Sequence, residues 1–305
     1  MITPLVLGTY ALLVGAAAPY ALARARWAHR APGLAVLAWQ GLMVTFVVTI
    51  ALGVYHLVLA EQHVHNGLAG LLSACGMLPG ATTSGSVPTT GDAAVLLSPA
   101  LIVLLPVGWF LRMTWLTRRA QRRHLDMLAV VGSPAPRYGA TLVDHDTPAV
   151  YCLPGSSRRV VMTRGAVKAL TGEQLQAVLA HERAHITGRH HLLHAATEAF
   201  ERAFPKLPLA RLAREQTALL LEMIADDRAL RGHSREVLAS AMCQVAAGNV
   251  PQSALGAGGP SVLIRLRRVL TPQAAPRRST WLGVVGGSLT VPLLPLLIAC
   301  GPAVS

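Results

Sequence analysis

The sequence predicts a mainly α-helical membrane protein, with four transmembrane helices and one cytoplasmic α+β domain. Of its 305 residues, 52% are hydrophobic and only 13% are charged, whereas about a quarter of the residues of a soluble domain are charged. Four long stretches contain no charged side chain, and arginines lie at their ends. The length allows about one or two domains, so a membrane bundle with one modest soluble domain fits it.

The four apolar stretches have the length that a bilayer requires. A spanning helix needs about 20 apolar residues, because each adds about 1.5 Å across a core about 30 Å thick. The first stretch could instead be a signal peptide, but its arginines follow the apolar run rather than precede it. The apolar stretches are 2–23, 31–60, 93–111 and 280–305. The sequence therefore predicts three spans within residues 1–115, with an outer loop at 61–92. A cytoplasmic domain at 116–279 and a fourth span at 280–305 follow.

The distribution of positive charge predicts the orientation. The net charge is +13, and arginines occupy the first connection and the sequence after the third and before the fourth span, whereas residues 61–92 contain no lysine or arginine. By the positive-inside rule, both termini lie outside a multi-pass inner (plasma) membrane protein, and residues 116–279 lie in the cytoplasm. Nucleic-acid binding is the alternative explanation of the charge. Because the arginines gather at span ends, we expect lipid phosphates as their partners and no direct nucleic-acid partner.

The four cysteines do not form a metal motif. Cys75, Cys152, Cys243 and Cys300 contain no CxxC pair, which argues against a cysteine-based zinc site or a disulfide scaffold. The predicted topology places Cys75 and Cys300 on the same outer side. A disulfide between them and two unrelated thiols both remain open, and the second is favoured.

The cytoplasmic segment begins with short β-branched runs and continues with helices. Strands at 140–143, 149–152 and 159–163, separated by Asp, Pro and Gly turns, predict a small antiparallel sheet. Thr171 followed by Gln174 predicts a capping box. Helices are predicted at 164–170, 172–186, 190–203, 209–231 and 234–247, and a loop at 248–261.

A metal-site motif lies on one of these helices. His181-Glu182 and His185 form an HExxH pattern, and residues four apart project from one helix face, so both imidazoles can bind one Zn²⁺ ion. Glu182 beside them can take a proton from water. Glu222 on a later helix is the candidate third ligand, and Asp226 one turn on can accept a hydrogen bond from a ligand imidazole. Such an acidic pair alone indicates a solvated face, but the HExxH motif upstream favours the ligand interpretation.

Other polar residues near the motif have weaker interpretations. His190, His191 and His194 could form a second metal site, but surface positions or packing between helices are favoured. Arg228 and His233 are candidate oxyanion donors, although solvent-exposed positions are favoured for both.

These motifs together resemble the integral-membrane gluzincin metallopeptidases. The residues that carry the resemblance are Arg159–Arg164, Leu175–His185 and Glu222–Asp226, within about residues 140–235. The family includes the CAAX-prenyl and heat-shock membrane proteases and the beta-lactam-sensor antirepressor peptidases, and the span layout looks most like the antirepressor peptidases. Those sensors carry a penicillin-binding domain after the last span, whereas this sequence ends at Ser305, so a beta-lactam signal is not expected.

The resemblance implies a zincin-like domain, a Zn²⁺ cofactor and a zinc metalloendopeptidase that cuts a cytoplasmic or membrane protein. It also implies regulated cleavage, often of a transcriptional repressor, as the protein partner; the oligomeric state stays open. The strand at 160–163 is a candidate edge for pairing with an extended substrate. A non-enzymatic membrane sensor with a degenerate zinc fold is the competing hypothesis, and the intact Glu182 argues against it.

Overall fold

The computed structural model describes residues 2–58, 90–153, 159–249, 259–272 and 277–300. Residues 61–89 of the predicted outer loop lie outside the described part of the chain, and so do Cys75 and the side chain of Cys300. The pairing of these two cysteines therefore stays a prediction.

Helices make up most of the described structure. The amino-terminal part contains α1 (Ile2–Leu12), a π-helical segment (Leu13–Ala17), α2 (Ala18–Ala23), α3 (Pro32–Val58) and α4 (Thr90–Val131). After the sheet follow α5 (Arg164–Ala169), α6 (Gly172–Thr187), α7 (His190–Ala203), α8 (Pro208–Ala229), α9 (Arg235–Asn249) and α10 (Gly259–Leu270). The last helices are α11 (Arg278–Thr290) and α12 (Leu294–Cys300), joined by a 3-10 turn at Val291–Leu293.

Among the described residues, four helical stretches are long and apolar enough to cross a membrane. They are Thr3–Ala23, Pro32–Leu57, Ser98–Val131 and Arg278–Ala299, close to the four predicted spans. The third differs, because α4 continues as one helix far beyond the predicted span end at residue 111. The predicted domain boundary between residues 115 and 116 falls inside this helix, and the division into membrane and cytoplasmic parts stays a prediction.

The sheet is mixed, so the predicted antiparallel sheet is wrong in its topology. Its strands are β1 (Gly132–Ala135), β2 (Ala140–Val143), β3 (Val150–Leu153) and β4 (Arg159–Thr163), in the spatial order β1-β2-β4-β3. β1 pairs with β2 and β3 pairs with β4, both antiparallel, whereas β2 and β4 are parallel. Sequence runs locate strands, but strand order depends on which edges meet after the chain has folded back.

The helices of the metal-site region follow the prediction closely, with one omission. The predicted capping box is present, because the Thr171 hydroxyl accepts from the Gln174 backbone N–H and the Gln174 side chain accepts from Thr171. Residues 250–258 of the predicted loop lie outside the described residues, and from Gly259 the chain is already helical. Helix α10 was not predicted, although Val262, Leu266 and Val269 repeat at helical spacing.

The metal-site helices share a hydrophobic core with the first two candidate spans. Buried side chains of α1–α3 pack against α7 and α8. Phe46 of α3 contacts Phe200 and Phe204 edge-on, with ring centroids 6.1 and 5.4 Å away. A Cβ on Gly15 would lie 2.8 Å from the Phe46 ring, so only glycine permits this approach. Helices α7 and α8 thus form one packed body with the first two candidate spans.

Candidate metal centre

Helix α6 presents the two histidines of the motif side by side. His181 and His185 lie one turn apart, and their Nε2 atoms are 3.2 Å from each other. The capping box at Thr171 determines where the helix begins. Leu175 and Leu179 of the same helix are buried in the domain core, which directs the opposite face, with both imidazoles, towards α8.

Glu222 of α8 completes a group of three metal-ligand side chains. Its Oε2 lies 3.4 Å from His181 Nε2 and its Oε1 lies 3.4 Å from His185 Nε2. A tetrahedral zinc ion with bonds of about 2.1 Å holds neighbouring ligand atoms about 3.4 Å apart. The three predicted ligands therefore have the spacing and the nitrogen and oxygen chemistry of a His₂Glu zinc site. Among the described residues, no other group of His, Cys, Asp and Glu has metal-ligand spacing.

A buried carboxylate and a partly buried arginine support the candidate ligands. Asp226, 1% exposed, accepts a hydrogen bond from His181 Nδ1 at 3.0 Å. Arg265 of α10 donates Nε and Nη2 to both oxygens of Asp226 at 2.9 and 2.8 Å. Its Nη1 lies 2.7 Å from Glu222. Arg265 therefore holds the ligand and the supporting carboxylate in one arrangement, and no motif in the sequence pointed to it.

The charges of His181, Glu222, Asp226 and Arg265 nearly balance. Burial opposes protonation of His181, but hydrogen bonds to Asp226 and Glu222 outweigh burial and raise its pKa to about 9. Burial would raise the pKa of both carboxyls, but His181 and Arg265 hold the pKa of each at about 2. Two carboxylates thus face an imidazolium and a guanidinium. Because a metal ligand must carry a free lone pair, metal binding releases the proton of His181.

His185 is supported by a residue whose role the sequence left open. Its Nδ1 lies 2.8 Å from Nδ1 of the buried His190, and burial lowers the pKa of both imidazoles to about 4. Both rings are therefore neutral at pH 7. When His185 Nδ1 donates to His190, the Nε2 lone pair of His185 faces Glu222 and is free for a metal. The sequence favoured a surface position or packing between helices for His190, and its burial and this contact show the second.

The approach of His190 depends on Gly188 at the end of α6. A Cβ at this position would lie 2.4 Å from His190 Nε2 and 2.5 Å from its Cδ2. The backbone angles of Gly188, φ −75° and ψ −6°, are open to any residue. Glycine is required here because the His190 ring occupies the space of a side chain.

Glu182 lines the cavity together with His181 and Glu222 and lies near Cys152 of strand β3. Burial raises the pKa of its carboxyl, and the positive charge of His181 and the neighbouring Cys152 thiol partly offset the rise. Burial and the Glu182 charge together raise the pKa of Cys152 to about 12, so the thiol stays protonated at neutral pH. The predicted general base is thus half-buried, close to the ligands and not one of them.

Neither candidate oxyanion donor lines the space next to Glu182 and Glu222, and the exposure that the sequence favoured for Arg228 is confirmed. Arg228 is exposed on the far part of α8, and His233 follows its end. A cavity of about 230 Å³ opens next to Glu182 and Glu222, and Arg265 lines it, whereas Arg228 and His233 do not. Among the described residues that line the cavity, Arg265 and the protonated His181 are the positively charged side chains.

The predicted substrate edge is also wrong. Strand β4, which contains Val160 to Thr163, lies between β2 and β3, so both of its backbone edges are already paired. Among the described strands, β1 and β3 are the two edges of the sheet. Strand β3 is the one that runs along α6, and its Val150 lines the cavity, so the sheet edge next to the candidate metal centre belongs to β3.

The sequence model of peptidase family M48 matches residues 114–204. The match covers α4 from residue 114, the whole sheet and the HExxH helix, and ends at the last turn of α7. It spans less than a third of the chain and stops before Glu222 and Arg265. No curated protein and no solved structure matches the chain.

The family match and the geometry agree on the class of chemistry. A domain of peptidase family M48 supports a zincin-type metallopeptidase, and His181, His185 and Glu222 could form its metal site. The antirepressor subfamily that the span layout suggested is a finer assignment, which the match does not address.

Proposed function

We propose that this chain is a membrane-embedded zinc endopeptidase that hydrolyses peptide bonds of a cytoplasmic or membrane protein. The observation that carries the proposal is the convergence of His181, His185 and Glu222, with ligand atoms 3.2–3.4 Å apart, beside Glu182. The M48 match supports the peptidase class, and the four apolar helices support a membrane location.

Metal binding and proton transfer are assigned to different residues of the site. His181 Nε2, His185 Nε2 and the Glu222 carboxylate would hold zinc, which supplies a Lewis acid that acidifies water and polarises the scissile carbonyl. Glu182 takes a proton from the attacking water as its oxygen bonds to the carbonyl carbon. The same carboxyl then gives this proton to the amide nitrogen as the C–N bond breaks.

Two further features would position the reacting groups. Asp226 keeps the His181 ring oriented, and Arg265 keeps Asp226 and Glu222 together. The free edge of β3 would pair with an extended substrate, because an unpaired strand edge offers backbone N–H and C=O groups in the right spacing. This pairing would lay a scissile bond next to Glu182.

The decisive experiment replaces the proposed base and leaves the metal ligands unchanged. The zinc-loaded protein in detergent is compared with Glu182→Gln on an unstructured protein substrate. Glu173→Gln is the matched control, because Glu173 is an exposed acid in the first turn of the same helix. We expect Glu182→Gln to keep its zinc and to lose about 10²- to 10⁴-fold in rate. Equal rates for Glu182→Gln and wild type would refute the proposal.

The same experiment separates the enzyme from its main competitor, a non-enzymatic zinc-binding sensor. A sensor would bind zinc and cut nothing in either form. The competing hypothesis has to explain why a carboxyl with a raised pKa lies beside the ligands, since a structural zinc site does not need a base.

The finer proposal is regulated proteolysis at the inner face of the plasma membrane. Its support is the span layout and the arginine distribution, which favour a cytoplasmic metal centre and outer termini. A winged-helix repressor encoded beside this chain would be the first substrate to test, by co-expression with wild type and Glu182→Gln. A reporter that is active only outside the cytoplasm should work when inserted in residues 61–92 and fail in residues 250–258.

A further inference from the structure

The cavity beside the metal centre has an apolar wall built from four separate elements. Its volume is about 230 Å³. The apolar wall includes a residue of β3, one of α6, three of α9 and one of α10, namely Val150, Val178, Leu238, Met242, Val245 and Val262. Side chains from such distant parts of the sequence meet only in the folded chain, and together they form a lining suited to an apolar group.

The opposite wall of the cavity is the metal centre itself. His181, Glu182, Glu222 and Arg265 line it. A group inside the cavity therefore lies next to the proposed base and next to two proposed ligands. Only the side chain of a residue that adjoins the scissile bond can occupy this place while the bond itself reaches Glu182.

The charged groups of that wall are already engaged with each other. Glu222 is held by Arg265 at 2.7 Å, and Arg265 also binds Asp226 through two nitrogens. A charged substrate side chain would lose water in the cavity without gaining an uncommitted partner, which costs free energy. An acidic side chain would in addition meet the Glu182 carboxylate.

The volume sets the size of the group. An apolar cavity of about 150 Å³ holds a benzene molecule, so about 230 Å³ admits a leucine, methionine or phenylalanine side chain. An alanine side chain would leave most of the space empty and most of the apolar wall without contact. A match in size and polarity between cavity and side chain typically changes specificity by about 10- to 200-fold.

We infer that this cavity is the specificity pocket of the peptidase, and that it selects substrates with a large aliphatic or aromatic residue next to the scissile bond. The inference rests on the proposed function and names the substrate class of the same site. Val150 contributes to the pocket from the free edge of β3. A substrate strand paired on that edge can therefore reach the pocket and Glu182 together.

The test uses two series of compounds that differ only at this residue. The first series consists of peptides with one cleavable bond. In each peptide, either the residue before this bond or the residue after it is Phe, Leu, Ala, Asp or Lys. The second is a matching set of peptide hydroxamates, whose binding to the zinc-loaded, full-length protein is measured without turnover. We expect Phe and Leu to be preferred over Ala by roughly 10- to 100-fold in both series, and Asp and Lys to be the poorest.

A filling substitution supplies the structural control. Ala246 lines the cavity, whereas Gln244 on the same helix is exposed. Ala246→Leu should reduce cleavage and binding of the Phe compounds at least tenfold more than cleavage and binding of the Ala compounds. Gln244→Leu should change neither.

The possible outcomes distinguish failure of the pocket from failure of the peptidase. Cleavage without side-chain preference, or an equal effect of Ala246→Leu on all compounds, would overturn the pocket and leave the peptidase. Zinc-loaded protein that prefers the Phe hydroxamate but cuts no peptide would overturn the peptidase and leave the pocket. Zinc-loaded protein that binds no hydroxamate and cuts no peptide would overturn both.

Discussion

Gly188→Ala should weaken zinc binding although residue 188 contacts no ligand. By backbone angles alone the change should be harmless or favourable, because φ −75° suits alanine and Gly→Ala at such positions typically adds about 0.4–1 kcal/mol of stability. The added Cβ, however, would lie 2.4 Å from His190 Nε2 and 3.1 Å from the Ala184 carbonyl oxygen. The helix backbone is the more rigid neighbour, so the His190 ring has to move.

The magnitude follows from the contact that this movement breaks. His190 Nδ1 lies 2.8 Å from His185 Nδ1, and it is the partner that orients this proposed ligand. Loss of such a supporting hydrogen bond typically lowers metal affinity about 10- to 100-fold, which corresponds to about 1.4–2.7 kcal/mol. We expect the same loss in His190→Ala.

The assay is a competition between the protein and a chelator of known zinc affinity, in detergent and at fixed pH. Gly172→Ala is the matched control, because Gly172 begins the same helix and a Cβ there would meet nothing within 4 Å. In a His190→Ala background, Gly188→Ala should cost nothing more, since the two changes remove one interaction. Wild-type affinity in both single variants would refute the role assigned to His190. Additive losses would show that Gly188 acts through another contact.

Two further perturbations probe other contacts of the site. Arg265→Leu leaves Asp226 and Glu222 without their guanidinium partner, and loss of one member of a buried ion pair costs about 3–5 kcal/mol. Without zinc, the variant should unfold at a lower denaturant concentration than wild type, and added zinc should increase its free energy of unfolding more than that of wild type. Equal unfolding curves for the two proteins would contradict the role of Arg265 as a bridge between Asp226 and Glu222. Because burial and Glu182 raise the pKa of Cys152 to about 12 from 9.0, its alkylation at pH 8 should be about a thousandfold slower than that of an ordinary thiol. In a variant that keeps Cys152 and lacks the other cysteines, the alkylation rate should rise with pH until about 12 and should be higher after Glu182→Gln. Rapid alkylation of Cys152 at pH 8 with Glu182 in place would disprove the proximity of the two side chains.

The sequence by itself determined the features that depend on local spacing. Residues four apart on a helix share a face whatever the rest of the chain does, so the spacing of His181 and His185 was enough to pair them. The capping box at Thr171 and the apolar stretches are local in the same sense. Strands β2 and β4 and most helix ends were predicted within a residue or two for this reason.

Tertiary structure decided everything that depends on contacts between distant segments. The order of the described strands placed β3 at an edge of the sheet and β4 inside it, against the sequence expectation. The sequence suggested that Glu222 meets the two histidines only because an HExxH zinc site needs a third ligand and a glutamate can supply it. No such requirement pointed to Arg265. Its helix, the His190 contact and the pocket all arise where surfaces of separate helices meet. Spacing along the chain determines which face of its own helix a residue lies on. Only packing in the folded chain determines which other helix that face contacts.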